Sequence, residues 1–297
     1  MLNNHKLACY LVFGCLVTGS ISNADIDSCD SDANVDKPHY DAGTSSLELG
    51  GRLALVTGAA SGIGRSVAMG LARENVTVIV ADINTTGGPE TVAMLPNKHL
   101  NHMALYVDVR NSTSVKYLVE CIENTYQMNI SIVVNSAGIL HHITPLVKLS
   151  EDIFDDVINT NLKGTFLVTK EAVRHMLSRN VTGAAIVNIA SILGKGGFPG
   201  LGAYTASKGG VIAFTKSVAL ELATKGIRVN VILPGITNTP MIAKYSNDDI
   251  RARLTGMIPM RRMAEPIEIS ETIIFMCSPK TSYMTGAAID VAGGSKT

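Results

Sequence analysis

The chain of 297 residues has no tryptophan, only 5% aromatic residues, and 25 basic residues that balance 25 acidic ones. A formal net charge of zero with 17% charged residues gives no electrostatic basis for nucleic-acid binding, so we expect no such partner. The seven histidines and the carboxylates show no metal-ligand spacing, and we therefore predict no metal site.

Cysteine is also scarce. Of five cysteines, Cys9 and Cys15 lie in an apolar N-terminal segment, which leaves Cys29, Cys121 and Cys277 in a processed chain. An odd number of cysteines argues against a disulfide framework.

The first 46 residues differ in composition from the rest. In residues 1–24, Lys6 precedes an apolar run from Leu7 to Val17 and small residues follow, which is typical of a secretory signal peptide and too short for a membrane span. Residues 25–46 are acidic, and we predict a disordered linker. A signal-like start favours the secretory pathway or endoplasmic reticulum. In the secretory pathway the Asn-x-Ser/Thr sequons would be acceptors for N-linked glycans. They begin at Asn75, Asn84, Asn111, Asn129 and Asn180.

From residue 47 onward, short apolar runs alternate with longer amphipathic or alanine-rich stretches. This alternation predicts a single α/β domain over 47–297: a Rossmann-like, doubly wound parallel sheet of about seven strands with helices on both faces. The predicted strands cover residues 53–56, 76–81, 103–107, 131–134, 185–190, 227–233 and 287–291.

A glycine-rich turn follows the first predicted strand. Its glycines are spaced Gly58-x3-Gly62-x-Gly64, with Ser61 and Ile63 between them, and a helical stretch follows. Glycines let the backbone approach a pyrophosphate, and the N-terminus of the next helix holds its negative charge. The sequence therefore predicts a dinucleotide-binding turn.

The second predicted strand ends at Asp82, which lies 18 residues after Gly64 and is followed by Ile83. A carboxylate at that distance is placed to accept hydrogen bonds from the adenosine ribose and to repel a 2′-phosphate. The turn has no basic residue, so NAD (NADH) is favoured over NADP, with Arg65 and Arg110 as the two cations that leave NADP open.

Tyr204 and Lys208 are four residues apart in a predicted helix, and so share one face. A free phenol has a pKa near ~10, and a nearby cation would lower it toward neutral pH. Tyr and Lys four residues apart also occur in ordinary helices, so the pair alone is weak evidence for catalysis. The predicted nucleotide-binding turn upstream strengthens that interpretation.

Taken together, the glycine turn, Asp82 and the Tyr204/Lys208 pair resemble the short-chain dehydrogenase/reductase family of the single-domain type, from about residue 47 to the C-terminus. The resemblance implies an NAD-dependent oxidoreductase that interconverts a secondary alcohol and a ketone. It implies that Tyr204 transfers the proton, Ser191 holds the substrate oxygen and Asn161 holds a water against the lysine. The implied catalytic set is Asn161, Ser191, Tyr204 and Lys208.

The same resemblance extends the cofactor site. Asp108 and Val109 match the family's adenine contact, and Thr237 and Thr239 match the segment that grips the nicotinamide carboxamide. The family's Asn-Asn-Ala-Gly motif reads Asn135-Ser136-Ala137-Gly138 here, a mild departure because the small pair is kept. The predicted cofactor contacts are Gly58, Ser61, Gly62, Ile63, Gly64, Asp82, Ile83, Asp108, Val109, Asn135, Ala137, Gly138, Tyr204, Lys208, Thr237 and Thr239.

The variable segment 239–265 is rich in apolar side chains, which suits either an apolar substrate or core packing. Its members are Met241, Ile242, Met257, Ile258, Met260 and Met263. Residues 161–169 and 257–260 resemble 17-beta-hydroxysteroid dehydrogenases of type 8 and the 3-oxoacyl-carrier-protein reductases. The resemblance implies an estradiol-type steroid first, or alternatively a 3-oxoacyl thioester on acyl-carrier protein or coenzyme A. A third possibility, of another class, is a non-catalytic NAD-binding regulator.

The resemblance also bears on partners and compartment. It implies a homotetramer formed through the helices of Asn161 and Tyr204, and leaves a related subunit or an acyl-carrier protein open as a partner. It implies the mitochondrial matrix or cytosol, which conflicts with the signal-like start. We expect His141 and His142 to form an exposed loop pair near the pocket mouth. An acidic carrier would need a basic docking patch; Arg251, Arg253, Arg261 and Arg262 are either such a patch or ordinary solvated side chains.

Overall fold

The computed structural model describes residues 47–295. The predicted signal-like segment 1–24 and linker 25–46 lie outside the described residues, and the domain boundary at residue 47 stays a prediction. Within 47–295, no helix combines the length and the apolar character that a membrane crossing requires.

Seven strands form one parallel sheet in the order β3-β2-β1-β4-β5-β6-β7, which confirms the predicted fold. Each predicted strand coincides with an observed one to within one residue at either end. The strands are β1 Leu53–Thr57, β2 Thr77–Asp82, β3 Met103–Tyr106, β4 Ile130–Asn135, β5 Ala184–Ile189, β6 Ile227–Pro234 and β7 Ala288–Val291.

Helices connect the strands and flank the sheet. A π-helical turn, Asn159–Lys163, joins the fourth helix to the fifth. The helices are α1 Gly62–Arg73, α2 Gly87–Met94, α3 Ser112–Thr125, α4 Glu151–Ile158, α5 Gly164–Ser178, α6 Leu193–Gly196, α7 Gly202–Leu222, α8 Pro240–Tyr245, α9 Asp248–Gly256 and α10 Pro266–Cys277.

Both faces of the sheet are covered, which explains why its strands are continuous apolar runs. In β1, Ala54 and Val56 face a core completed by α1 and α10. Leu53 and Leu55 face the opposite core, to which α3, α5 and α7 contribute. Successive side chains of a strand point to opposite faces, so one run of five buried residues serves two cores.

The order of the strands fixes where a ligand can bind. β2 pairs with one side of β1, and β3 adds to the far side of β2. The chain then returns to the centre of the sheet, where β4 pairs with the other side of β1. Thr57 and Asn135 are paired at the carboxyl ends of β1 and β4. A crevice forms where the order reverses, and ligands of open parallel sheets bind there.

The amino-terminal edge of the sheet holds two partly buried arginines. Arg52 donates to Ser131 O (2.8 Å), Gly183 O (3.0 Å), Cys277 O (3.3 Å) and the Ser131 hydroxyl (3.1 Å). Burial lowers the pKa of Arg52, and the same cause lowers that of Arg228. Arg228 donates to four oxygens of residues 276–284, just past the end of α10. Cations at this place also complement the helix C-terminus.

Candidate active site

A cleft of about 440 Å³ opens at the carboxyl ends of the strands, at the crevice predicted by the strand order. The structure brings most of the predicted site residues together along its walls. They are Gly58, Ser61, Gly62, Ile63, Asp82, Ile83, Asp108, Val109, Ala137, Gly138, Ser191, Tyr204, Lys208, Thr237 and Thr239.

Three predicted residues lie outside the lining. Gly64 packs so closely on the turn that an added side chain would collide with the carbonyl of Gly58. Asn135 is buried, and its amide donates to Thr169 Oγ1 (3.0 Å) and to Asn188 Oδ1 (2.8 Å). Asn135 therefore ties strands and helix together beneath the cleft. Asn161, the third, is described below with the catalytic group.

The turn after β1 has the geometry of a phosphate cradle. Gly58 has φ of +65°, and a side-chain carbon there would lie 2.6 Å from the backbone nitrogen of Ala137. Ser61 is the N-cap of the twelve-residue helix α1, whose first turn has no acidic residue. Free backbone N–H groups at a helix start attract anions. These features fit the pyrophosphate of a pyridine dinucleotide.

Asp82 is fixed at one end of the cleft. Its two carboxylate oxygens accept hydrogen bonds from the backbone nitrogens of Ala60 and Asn84, each 2.9 Å long. Arg65 does not line the cleft, because its guanidinium donates to Thr91 Oγ1 (2.9 Å) and to the carbonyl of Ala60. The carboxylate thus faces the cleft without a cation turned toward it from the glycine turn.

Arg110 is the second of the two cations for which the sequence left NADP binding open, and it lines the cleft. It forms a bidentate pair with Asp108, with both N–H···O distances at 2.9 Å, and lies 3.7 Å from Asp156. The hydrogen bond from Arg110 holds the pKa of Asp108 below its usual value. Two carboxylates therefore already compensate this guanidinium. Asp156 was not singled out in the sequence, because only the fold brings α4 to this wall.

Tyr204 and Lys208 lie on α7, Ser191 follows β5, and all three line the cleft. Lys208 is 6% exposed; its ammonium donates to Ile189 O at 2.9 Å and lies 5.7 Å from the centre of the Tyr204 ring. Burial lowers the pKa of Lys208 to about 8. Burial also raises the pKa of Tyr204, while a hydrogen bond with Ser191 lowers it.

Lys208 is not among the groups that shift the pKa of Tyr204 in the structure, and the expectation that it lowers this pKa beside a bound nicotinamide ring stays a prediction. Burial outweighs the other effects on the phenol, and Ser191, not Lys208, is the group that opposes it. The physical reason is geometric: the Lys208 ammonium points to a backbone carbonyl and lies over the ring. At neutral pH the phenol therefore keeps its proton.

Asn161 lies in the π-helical turn and is completely buried. Its amide donates to Ile139 O and to Ser207 Oγ, each at 3.0 Å, and its oxygen accepts from the nitrogen of Ile139 (2.8 Å). Both of its N–H groups are engaged, so its side chain joins the loop after β4 to the helix of Tyr204. Its predicted role in holding a water stays a prediction.

Helix α8 contributes side chains to the lining of the cleft. Met241 and Ile242 line it, whereas Met257 and Met260 are more than 60% exposed and stand apart from it. The phenol of Tyr245, at the end of α8, donates to Leu140 O at 2.6 Å. The Tyr245 ring also meets the ring of His142 edge-on, with centroids 4.7 Å apart. No sequence pattern marks Tyr245, because its partners are about a hundred residues away.

One further expectation needs correction. His141 is only 7% exposed, with Nδ1 2.7 Å from His142 O, so the prediction of an exposed pair is wrong for His141 and correct for His142.

Three of the four arginines of the candidate docking patch are engaged within the domain. Arg251 donates to Asn238 Oδ1 (2.8 Å), Arg261 to Gly256 O (2.7 Å), and Arg262 to both oxygens of Glu268 (2.6 Å each). Across residues 47–295 no group of three or more His, Cys, Asp or Glu side chains is placed to hold a metal ion.

Comparisons with known proteins agree with this geometry. Residues 58–296 match a short-chain dehydrogenase family model described as enoyl-(acyl carrier protein) reductase. The chain is 40% identical over 249 residues to a human (3R)-3-hydroxyacyl-CoA dehydrogenase, covering 82% of this chain and 94% of that protein. It is 39% identical over 253 residues to a 3-oxoacyl-[acyl-carrier-protein] reductase of Thermotoga maritima, covering 84% and 99%.

A solved structure is similar as well. The 3-ketoacyl-(acyl-carrier-protein) reductase of Brucella melitensis, complexed with NADH, superposes with a TM-score of 0.77 at 30% identity, covering 83% of this chain and 99% of that one. The residues matched by the family model, 58–296, include the cradle, Asp82 and the Ser191, Tyr204 and Lys208 group. The chain belongs to the short-chain dehydrogenase/reductase family, whose members are pyridine-nucleotide-dependent oxidoreductases acting on CH–OH and keto groups.

Proposed function

We propose that the protein is an NAD(H)-dependent oxidoreductase that interconverts 3-hydroxyacyl and 3-oxoacyl thioesters. The chemistry rests on one observation: Tyr204, Ser191 and the buried ammonium of Lys208 line the same cleft as a nucleotide cradle. The substrate class rests on relatives named for 3-hydroxyacyl-CoA and 3-oxoacyl-carrier-protein chemistry. Steroid oxidation, the first expectation from the sequence, stays a prediction and serves as the competing substrate below.

The proton moves through Tyr204. In the oxidative direction the substrate hydroxyl gives its proton to the Tyr204 oxygen, while Ser191 donates a hydrogen bond to the substrate oxygen and stabilises its developing charge. NAD, held by the glycine turn and Asp82, would supply the hydride acceptor for the carbon that bears this hydroxyl. In reduction the phenol of Tyr204 returns the proton to the ketone oxygen. Lys208 places a positive charge beside this exchange.

The pKa values favour reduction near neutral pH. Because burial raises the pKa of Tyr204, its phenol is protonated and ready to act as an acid. Oxidation needs the deprotonated phenol and should gain from alkaline pH. The ratio of the oxidative to the reductive rate is therefore expected to rise with pH.

We also infer that NAD is preferred over NADP. A 2′-phosphate would meet the Asp82 carboxylate, and both cations nearby are engaged, Arg65 with Thr91 and Arg110 with Asp108. We expect Asp82→Ser to lower kcat/KM for NADH and raise it for NADPH, with Asp249→Ser, an exposed carboxylate on α9, as the control. A wild-type preference for NADPH would contradict this inference.

Coenzyme A is favoured over acyl-carrier protein as the thioester carrier. An acidic carrier protein needs a free basic patch, but Arg251, Arg261 and Arg262 are engaged. The exposed residues Glu151, Asp152, Asp248 and Asp249 add negative charge on α4 and α9.

The test is a kinetic panel. NADH oxidation is followed with acetoacetyl-CoA, acetoacetyl-carrier protein and estrone, and NAD reduction with 3-hydroxybutyryl-CoA and estradiol. The proposal predicts the highest kcat/KM with the CoA thioesters. A higher value with the steroid pair would replace the thioester proposal. NADH binding without turnover of any substrate would favour the regulatory alternative.

We propose a homotetramer in solution. Phe166 on α5 and Phe214 on α7 meet edge-on at 6.1 Å, and Phe166 (40%) and Leu220 (82%) are exposed on these two helices. Burial of this apolar face against a second copy would remove it from water. Light scattering on the purified protein should give four times the chain mass, and Phe166→Glu should dissociate it. A monomeric wild type would overturn this part.

A further inference from the structure

Five sequons in the chain share one structural property. Every sequon asparagine is exposed, and none lines the cleft. Within residues 47–295 the side-chain nitrogen of each has no hydrogen-bond acceptor; where these side chains bond at all, as in Asn84 and Asn111, they accept through oxygen. The nitrogen that a glycan would modify is thus free in the folded domain at all five positions.

Three of the five lie at the sheet edge opposite the cleft. Asn75 precedes β2, Asn129 precedes β4 and Asn180 precedes β5, all at the amino ends of their strands. The substrate and cofactor enter from the carboxyl ends. A bulky sugar at these positions would project away from the cleft and leave catalysis open.

Among these three, Asn180 has the most accessible surroundings. It follows α5 with φ of +51°, and Arg179, Thr182 and Gly183 beside it are exposed too. Thr182, the third residue of this sequon, makes no side-chain hydrogen bond. By contrast Thr77 and Ser131, which complete the sequons of Asn75 and Asn129, lie within strands.

The N-terminal sequence indicates how the chain would enter the secretory pathway. Lys6, the apolar run Leu7 to Val17 and the small residues up to Ala24 are typical of a secretory signal, and the acidic residues after it do not fit a transit peptide. These features and the surface positions of the sequons are independent observations that point the same way.

We propose that the chain enters the secretory route and carries N-linked glycans, with Asn180 as the principal site. In this step the Asn180 nitrogen forms a bond to the anomeric carbon of a lipid-pyrophosphate-linked oligosaccharide. The bond from that carbon to the pyrophosphate oxygen breaks, the lipid pyrophosphate leaves, and the amide loses one proton. A glycan is a large solubilising surface group.

The test is translation of the full chain with microsomal membranes, which needs no folded product. We expect bands of higher mass that collapse to one on treatment with peptide N-glycosidase. Thr182→Ala, which destroys one sequon, should remove one step, and Thr182→Ser, which keeps it, should not. Asn101→Gln is a matched control, since Asn101 is exposed with φ of +53° and lies outside any sequon.

Removal of residues 1–24 should abolish the shift. A single band that the glycosidase leaves unchanged, in the full chain with active membranes, would overturn the proposal. So would a shift that survives removal of residues 1–24. Since the readout is a mass shift, it is independent of the thioester activity proposed above.

Discussion

The two edges of the sheet both bury cations, but they treat them differently. At the amino edge the guanidiniums of Arg52 and Arg228 each donate to several oxygens of neighbouring segments, most of them backbone carbonyls. At the carboxyl edge the ammonium of Lys208 donates to the carbonyl of Ile189, and burial lowers its pKa to about 8. Burial lowers the pKa of all three groups, yet of the three only Lys208 lines the cleft.

The difference teaches what each edge is for. A guanidinium stays charged at any accessible pH and offers five donors in a fixed plane, so it suits a permanent joint between strands and helix ends. An ammonium shifts its pKa when buried and suits a site where charge must change. The amino edge therefore stabilises the fold, and the carboxyl edge keeps a destabilised charge for chemistry.

Among the changes that test this contrast, the largest expected effect follows from removing Lys208. Lys208→Met should lower kcat/KM with acetoacetyl-CoA by on the order of 10²-fold, because the positive charge beside Tyr204 is lost. The folded pKa is below that of the unfolded chain, so the buried charge costs stability at pH 7 and the cost fades as pH rises past about 8 toward ~10.4.

The free energy of unfolding of Lys208→Met at pH 7 should therefore be unchanged or higher, by up to about 3 kcal/mol. Lys216→Met, an exposed lysine on the same helix, is the control. Steady-state kinetics and chemical denaturation measure the two quantities. Full activity of Lys208→Met, or a large loss of its stability, would contradict the proposed difference between the two edges of the sheet.

The converse change is on the opposite edge. Arg228→Met removes the donors to the carbonyls of residues 276, 278 and 284, and should lower the free energy of unfolding by roughly 3 kcal/mol because buried acceptors lose their partners. kcat should stay as in the wild type wherever the protein is folded. Arg179→Met, at an exposed position, is the control in urea titrations. Loss of kcat without loss of stability would contradict the division of roles.

A smaller effect concerns helix α8 in the lining of the cleft. Tyr245→Phe removes the hydrogen bond to Leu140 O, worth about 0.5–1.5 kcal/mol, and should raise KM for a long-chain thioester roughly two- to tenfold with kcat nearly unchanged. Tyr283→Phe, at a fully exposed ring, should change neither parameter. An unchanged KM in Tyr245→Phe would show that this contact does not position α8.

The smallest expected effect is a pH dependence of stability. His102 accepts from the nitrogen of Val78 (3.0 Å) and contacts Pro96 O (2.9 Å), and burial lowers its pKa. A base with a depressed folded pKa contributes stability that is fully present above its unfolded pKa near ~6.5 and is lost as pH falls below it. His102→Gln should flatten the decline between pH 7.5 and 5.5, and His99→Gln, at an exposed position, should not. Equal slopes in all three proteins would reject the assignment.

The sequence predicts the sheet well because the central strands are buried on both faces and form apolar runs such as Val76 to Ala81. Gly58 is predictable too, since the close approach of Ala137 leaves no room for a side chain. Other features depend on contacts between distant segments and have no local pattern. Tyr245 meets Leu140, Arg110 meets Asp156, and His141 is buried by the folded loops around it. The pKa of Tyr204 likewise depends on burial that spacing alone does not reveal.

The most direct test of the account is the activity of Tyr204→Phe beside that of the wild type, with NADH and acetoacetyl-CoA at neutral pH. Removing one hydroxyl takes away the proton donor and leaves the cradle, Asp82 and Lys208 in place. We predict that kcat falls by on the order of 10³-fold while NADH binding, followed by fluorescence titration, stays within about twofold of the wild type. Undiminished turnover in Tyr204→Phe would contradict the proposed chemistry of the cleft.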